Sequence, residues 1–229
     1  METDGRQISP IHFFICNFKL LSCMFVVKVG GSLIDYRGEI LRELKRFSRE
    51  NHQKIVIVPG GGVFADTVRR FDLDDDSAHW MAILGMNQYG YLLYSESGIK
   101  TVEYFEDVEK RDIAIFLPYL ALMKNDELPH SWTVTSDSIA AWIAEKMGGE
   151  LIIATDVEGI YKDGHLMRGI EAKELLGMGK TCVDDFLPSF LLEKDMTCMV
   201  LDGRKPKNII KVMRGENVGT EILPQTHTP

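Results

Sequence analysis

Val26-Val27-Lys28-Val29-Gly30-Gly31-Ser32 joins an apolar run to two glycines and a serine. The β-branched run has the character of a buried strand. Glycines at its end let the backbone turn sharply and present N–H groups to an anion. A lysine between valines is costly in a core unless a negative group meets it. The stretch therefore predicts a phosphate site at the C-terminal end of a parallel strand. Neither GxxxxGK[ST] nor GxGxxG occurs, so this is not one of the familiar phosphate loops. A second stretch repeats the design: Ile55-Val56-Ile57-Val58, Pro59, then Gly60-Gly61-Gly62 and a segment of helical pattern. Two strand–glycine–helix units can hold one phosphate chain between two helix N-termini.

The chain has 229 residues, 45% hydrophobic and 26% charged, which suits one large α/β domain. Its formal net charge of -8 argues against nucleic acid as a partner, since backbone binding needs clustered Lys and Arg. A nucleotide substrate needs only a local positive site and is not excluded. Cys16, Cys23, Cys182 and Cys198 form no CxxC pair and no metal spacing. They read as reduced thiols of a cytoplasmic protein, and no metal site is expected from them. Residues 1–23 lack the pattern of the rest. Ile11-His12-Phe13-Phe14-Ile15-Cys16 is interrupted by Asn17 and Lys19, and no run reaches transmembrane length. This part reads as a poorly packed or disordered extension, or as a start codon assigned upstream of the true one at Met24. Residues 24–229 read as a single domain without membrane contact.

Past Met24 the pattern alternates. Arg37 to Asn51 places Ile40, Leu41, Leu44 and Phe47 on one helical face. Residues 54–58 predict a strand. Val63 to Phe71 predicts a helix with Val63, Phe64, Val68 and Phe71 inward. The acidic turn Asp72–Asp76 supplies a cap for a long helix from Ser77 to Tyr94. Ile113–Leu117 predicts a strand closed by Pro118. Thr135 or Ser136 caps a helix through Ile139, Ala140, Ile143 and Ala144, ended by Gly148-Gly149. Leu151–Ala154 is a further buried strand. A helix near 184–194, a strand near Thr197–Leu201, a helix after Pro206 and a last strand at Gly219–Ile222 complete the pattern. Alternation of this kind predicts a three-layer αβα sandwich around a mainly parallel sheet.

Five stretches occur in the order found in the amino acid kinase family. They are Lys28-Val29-Gly30-Gly31-Ser32, Pro59-Gly60-Gly61-Gly62, Thr135–Ala140, Thr155–Tyr161 and Gly219-Thr220. The resemblance covers about residues 25–222. It implies that family's fold and an ATP-dependent kinase using Mg²⁺, acting on a small molecule and commonly assembled as a homo-oligomer. Members phosphorylate acetylglutamate, aspartate, carbamate, UMP or isopentenyl phosphate. Asp76–Ile83, Asn87–Gly90, Leu128–Trp132 and Thr181–Asp184 resemble a member whose acceptor is a phosphomonoester bearing a flat ring and an ammonium group. The GGGSFGH pattern of isopentenyl phosphate kinases is absent, because Gly62 is followed by Val63-Phe64-Ala65-Asp66.

For transfer onto a phosphate, catalysis is positioning and charge neutralisation. Lys28 is then expected to bridge the transferred group, with Asp137 orienting it from a helix start. Amide groups of Gly30, Gly31, Gly61 and Gly62, with Ser32, are expected to hold phosphate oxygens. An ionised phosphate acceptor needs no general base. The resemblance places Asp156 and Tyr161 along the nucleotide; a turn-stabilising aspartate is the plainer alternative. His79 and Asn87 are acceptor-pocket candidates, or ordinary core and helix residues. Arg69 can meet the acceptor phosphate and Asp66 its ammonium group, or both can be solvated. Trp132, with His130 and Ser131, can wall a flat ring, or Trp132 can be a core residue. Many family members carry a second lysine after a GMxxK turn, and here that slot falls near Asp184. Either Lys180 takes its place at the phosphates or the role is lost. A carboxylate at 184 would suit Mg²⁺ or a cationic group. A carboxylate kinase and a non-catalytic nucleotide-binding module are the competing readings.

Overall fold

The computed structural model describes residues 24–225. Residues 1–23, with Cys16 and Cys23 and the expected N-terminal extension, lie outside it. The strands are β1 (Met24–Val29), β2 (Lys54–Pro59), β3 (Thr101–Val102), β4 (Ile113–Phe116), β5 (Glu150–Thr155), β6 (Tyr161–Lys162), β7 (His165–Leu166), β8 (Gly169–Glu171), β9 (Cys198–Asp202) and β10 (Thr220–Leu223). The helices are α1 (Arg37–Asn51), α2 (Gly62–Val68), α3 (Asp75–Ser97), α4 (Phe105–Val108), α5 (Pro118–Asn125), α6 (Ser136–Met147), α7 (Ala172–Leu176), α8 (Leu187–Lys194) and α9 (Lys207–Met213). A 3₁₀ turn at Gly31–Tyr36 connects β1 to α1.

Eight strands form one sheet in the order β3-β4-β2-β1-β5-β9-β10-β8, and β6 pairs with β7 as a separate hairpin. β1 lies parallel between β2 and β5, and all six of its residues are buried. That is why its sequence is apolar on both faces rather than alternating. Met24 and Val26 pack with Ile139, Trp142 and Ile143 of α6. Phe25, Val27 and Val29 pack with Ile40 and Leu44 of α1 and Ile209 and Val212 of α9. The sheet is thus covered on both faces, and the αβα sandwich predicted from the alternation is present. One pair departs from parallel: β10 runs antiparallel to β9.

The register aligns Val29 with Pro59 and Ala154, and Thr155 with Asp202. The loops after β1, β2, β5 and β9 therefore open at one edge, where open α/β sheets bind ligands. α3 starts two residues before the expected helix and ends three after it. Its cap is Asp74, whose side chain accepts from Ser77 N at 2.8 Å, and Gly98 closes it at φ 67°. Val63 and Phe71 were expected inward but are 56% and 58% exposed. α2 is only seven residues long, so Phe71 lies past its end. The helix packs through Ala65, whose backbone is so near Gly85 of α3 that a Cβ there would fall 2.8 Å from Ala65 N. Pro118, expected to close a strand, also opens α5 as a first-turn proline.

Candidate active site

Lys28 follows Val26 on the face of β1 that meets α6, and Asp137 stands in the first turn of α6. Lys28 Nζ lies 2.7 Å from Asp137 Oδ1, with the residues 8% and 5% exposed. Among the described residues the ammonium is the one partner of Asp137 Oδ1. The lysine in the apolar run has the negative partner its burial demands. Asp137 Oδ2 accepts from the backbone N–H of Asp184 at 3.2 Å.

Asp184, near the slot of the family's second lysine, has both carboxylate oxygens engaged within the chain. Its Oδ2 accepts from Thr135 N, Thr135 Oγ1 and Ser138 N at 2.9, 2.9 and 3.0 Å. Its Oδ1 accepts from Ser138 Oγ at 2.5 Å and Leu187 N at 2.9 Å. Burial, followed by the nearby Asp137 charge, raises the Asp184 pKa above the ordinary aspartate value. Thr135 occupies the N-cap position of α6 without capping it through its own side chain, because Asp184 does so from another loop. Sequence reasoning expected Thr135 or Ser136 to supply this cap.

The two glycine loops pack backbone against backbone. A Cβ on Gly31 would lie 2.1 Å from Gly62 Cα, and Gly62 has φ +50°. Glycine is required here for close approach and for the left-handed turn. Among the described residues, the N–H groups of Gly31, Gly61 and Gly62 have no acceptor within the chain. They make a cradle suited to phosphate oxygens. Gly30 differs from the expectation. Its N–H donates to Ala154 O at 3.0 Å, continuing the β1–β5 ladder, so it is not free for an anion. Ser32 stands beside the cradle in the 3₁₀ turn.

A cavity of about 290 Å³ opens beside this cradle, lined by Gly31, Ser32, Gly61, Gly62, Asp66, Arg69, Asp75 and His79, with α3 residues Ala82, Ile83 and Met86 as its apolar floor. Trp132, Thr135 and Ser136 close the α6 side. Asp66, Arg69 and His79 are thus brought together as the sequence suggested. Asn87 is not among them: its Oδ1 accepts from Tyr119 N at 3.4 Å and so serves the start of α5. The Arg69 guanidinium lies over the Trp132 ring at 3.9 Å from the centroid, which puts a cation on the face expected to meet a flat ring. Arg69 Nε is 4.0 Å from Asp66 Oδ1.

His79 is buried and stacks on His130, with ring centroids 4.4 Å apart. Burial, then the His130 charge, lowers its pKa to about 4, so it is neutral at physiological pH. His130 faces Asp76 Oδ1 at 2.7 Å through Nδ1 and Asp126 Oδ1 at 2.8 Å through Nε2, and the Asp76 bond chiefly raises its pKa. This clamp ties the loop before Ser131 and Trp132 to the start of α3. Its role was not visible in the sequence, since Asp76 and Asp126 are far apart in the chain.

Arg69, Trp132 and Thr135 also line a second recess of about 520 Å³ that reaches Lys180 and Thr181. Those two in turn line a third of about 270 Å³ with Tyr161. The three recesses share residues and are neighbours. Asp156 is exposed just past β5, and the Tyr161 hydroxyl donates to Glu158 Oε2 at 2.9 Å. No group of three or more His, Cys, Asp or Glu suited to a metal occurs among the described residues. Burial, and next the Asp137 charge, pushes the Cys182 thiol up to about 11, so it offers no thiolate. No helix of the described residues is long and apolar enough to cross a membrane.

Residues 24–192 match the amino acid kinase family. The chain is 38% identical over 214 residues to [5-(aminomethyl)furan-3-yl]methyl phosphate kinase of Methanocaldococcus jannaschii, covering 87% of this chain and 98% of that protein. It is 29% identical to a uridylate kinase of Thermofilum pendens, over 88% of this chain and 98% of the other. The crystal structure of uridylate kinase from Archaeoglobus fulgidus superposes with a TM-score of 0.68 at 19% identity, covering 87% of this chain and all of that one, which shows a shared fold. This chain belongs to the amino acid kinase family.

Proposed function

We propose that the protein is an ATP-dependent kinase that phosphorylates the phosphate of [5-(aminomethyl)furan-3-yl]methyl phosphate, giving the diphosphate in methanofuran biosynthesis. The observation that carries the acceptor is the near end-to-end likeness to the kinase of that compound, at 38% identity. The site supports it. One cavity combines a cradle of free amides, a single arginine and the carboxylates Asp66 and Asp75. That set suits a small molecule with a phosphate at one end and an ammonium group at the other.

In the proposed reaction an acceptor phosphate oxygen attacks the γ-phosphorus of ATP. A new P–O bond forms, the bond to the β-bridging oxygen breaks, and ADP leaves. The acceptor is already ionised, so no side chain must take its proton. Lys28, held by Asp137, offsets the charge that gathers between the two phosphates. Gly31, Gly61 and Gly62 hold equatorial oxygens. Lys180 and Tyr161, in the adjoining recesses, are assigned to the nucleotide, and Asp156 to the same edge. Mg²⁺ fits this site as an ion held mainly by ATP phosphates and water, because Asp137 and Asp184 are already engaged and Asp156 is exposed. We take the enzyme to be cytoplasmic, with residues 24–229 as one domain. A homo-oligomer is supported by the exposed Met81, Leu84 and Tyr91 along α3.

The test is ATP consumption with the furan phosphate, UMP, isopentenyl phosphate and acetylglutamate as acceptors, with product masses determined. Transfer to the furan phosphate and not to acetylglutamate is expected. Strong transfer to UMP or isopentenyl phosphate, with none to the furan, overturns the assignment.

A further inference from the structure

We propose that Asp184 is a positioning residue for phosphoryl transfer: it builds the first turn of α6 from outside and so fixes Asp137 and, through it, Lys28. The proposal rests on the kinase reading above. Asp184 does not line the cavity beside the glycine cradle; it stands at the wall of the second recess, and both its oxygens are engaged within the chain. Five donors, Thr135 N and Oγ1, Ser138 N and Oγ, and Leu187 N, converge on its two oxygens.

Thr135 is the cap position of α6 and Ser138 lies three residues on. A residue that accepts from both amides does the work of a helix cap, but from a loop 46 to 49 residues away in sequence. Asp137 lies between these two anchored residues. Its backbone is held on both sides, and its Oδ2 takes the N–H of Asp184 itself at 3.2 Å. Its remaining oxygen is thereby aimed at Lys28 Nζ, 2.7 Å away. The same carboxylate binds the N–H of Leu187, the first residue of α8, and its loop carries Lys180 four residues earlier. One side chain thus ties the lysine of β1 and the loop of the nucleotide recess to a common frame. Neutral Asn cannot reproduce it. Each oxygen of Asp184 receives an N–H, and an amide nitrogen in either place would face a donor.

The test compares Asp184→Asn and Ser138→Ala with the wild type, using whichever acceptor the wild type phosphorylates. Hydrogen exchange at the first turn of α6 is read in parallel. For folded Asp184→Asn we expect kcat to fall about 10- to 100-fold, since small misplacement of reacting groups is that costly, while KM for ATP and acceptor moves less than about 3-fold. The amides of Thr135 and Ser138 should exchange faster. Ser138→Ala keeps the charge and loses one donor, and should lose about 3- to 10-fold in kcat with KM unchanged. Unchanged kcat in folded Asp184→Asn, or a loss confined to KM, overturns the proposal. If Asp184→Asn does not fold, unchanged kcat in Ser138→Ala overturns it. Should the wild type phosphorylate none of the acceptors, the function reading fails. First-turn exchange then still decides whether Asp184 holds α6, and unchanged exchange in the folded variant overturns the proposal.

Discussion

Replacing Lys28 by methionine removes the ammonium and keeps most of the stem. Asp137 Oδ1, 2.7 Å from that ammonium and without another partner among the described residues, is then a buried charge left alone. Breaking one side of such a pair costs about 3–5 kcal/mol. For a chain of this size that lowers the melting temperature by about 6–20 °C. Lys28→Met/Asp137→Asn removes both charges and should recover more than half of the loss, because the amide has no charge to desolvate and can still accept from Asp184 N. Turnover should not recover. Both variants should be about two to three orders of magnitude slower than wild type, the range for removing a group that stabilises developing charge. Thermal unfolding and ATP turnover on the same preparations read both effects. A single variant that melts with the wild type would show that Lys28 does not hold Asp137. A double variant no more stable than the single one would show that the penalty is not an unpaired carboxylate. Near-normal turnover in either would remove Lys28 from the chemistry.

Gly31→Ala should raise KM for ATP at least about tenfold and lose about 1–3 kcal/mol, because its Cβ would fall 2.1 Å from Gly62 Cα and push the two loops apart; calorimetric ATP binding checks this. Lys180→Ala, at an exposed position, should raise KM for ATP without changing the melting temperature. A loss in kcat alone would move it from nucleotide binding to another role. His79 has a pKa near 4, so acceptor KM should show no inflection from this residue between pH 5 and 8, and an inflection that disappears in His79→Asn would contradict it. The raised His130 pKa makes its contribution complete below the unfolded value of 6.5 and lost as pH rises through the folded value. The unfolding free energy from urea titrations should therefore fall by about 0.2–1 kcal/mol as pH rises above 6.5, and His130→Gln should flatten that slope.

The fold was legible where local pattern and final burial agree. β1 and β2 are apolar on both faces because both faces are covered, and the glycines after them marked a tight turn with amides free to meet an anion. α1 was read to its ends, since Ile40, Leu41, Leu44 and Phe47 form one buried face. α2 was misjudged because Val63 and Phe71 look like helix core but flank a helix of only seven residues. β3, α4, α7 and the β6–β7 hairpin are too short for a period to emerge. The buried Lys28 called for a negative partner, and the family resemblance together with a helix start at Asp137 pointed to that residue. The Gly30 amide could not be excluded until its partner strand, β5, was known. Asp184 was legible only as a departure from the family's lysine. Its five bonds depend on Thr135 and Ser138, nearly fifty residues away, and no local signal announces them. Asn87 shares a helix with the cavity residues but turns to α5, a direction set by packing rather than by spacing along α3.

Phosphorus NMR of the product formed from ATP and [5-(aminomethyl)furan-3-yl]methyl phosphate tests the central claim most directly. The account predicts that the acceptor's single phosphomonoester signal is replaced by two mutually coupled signals of a diphosphate ester, with one ADP formed for each. An unchanged acceptor signal while ATP is consumed with UMP, or an acyl phosphate formed from acetylglutamate, would contradict it.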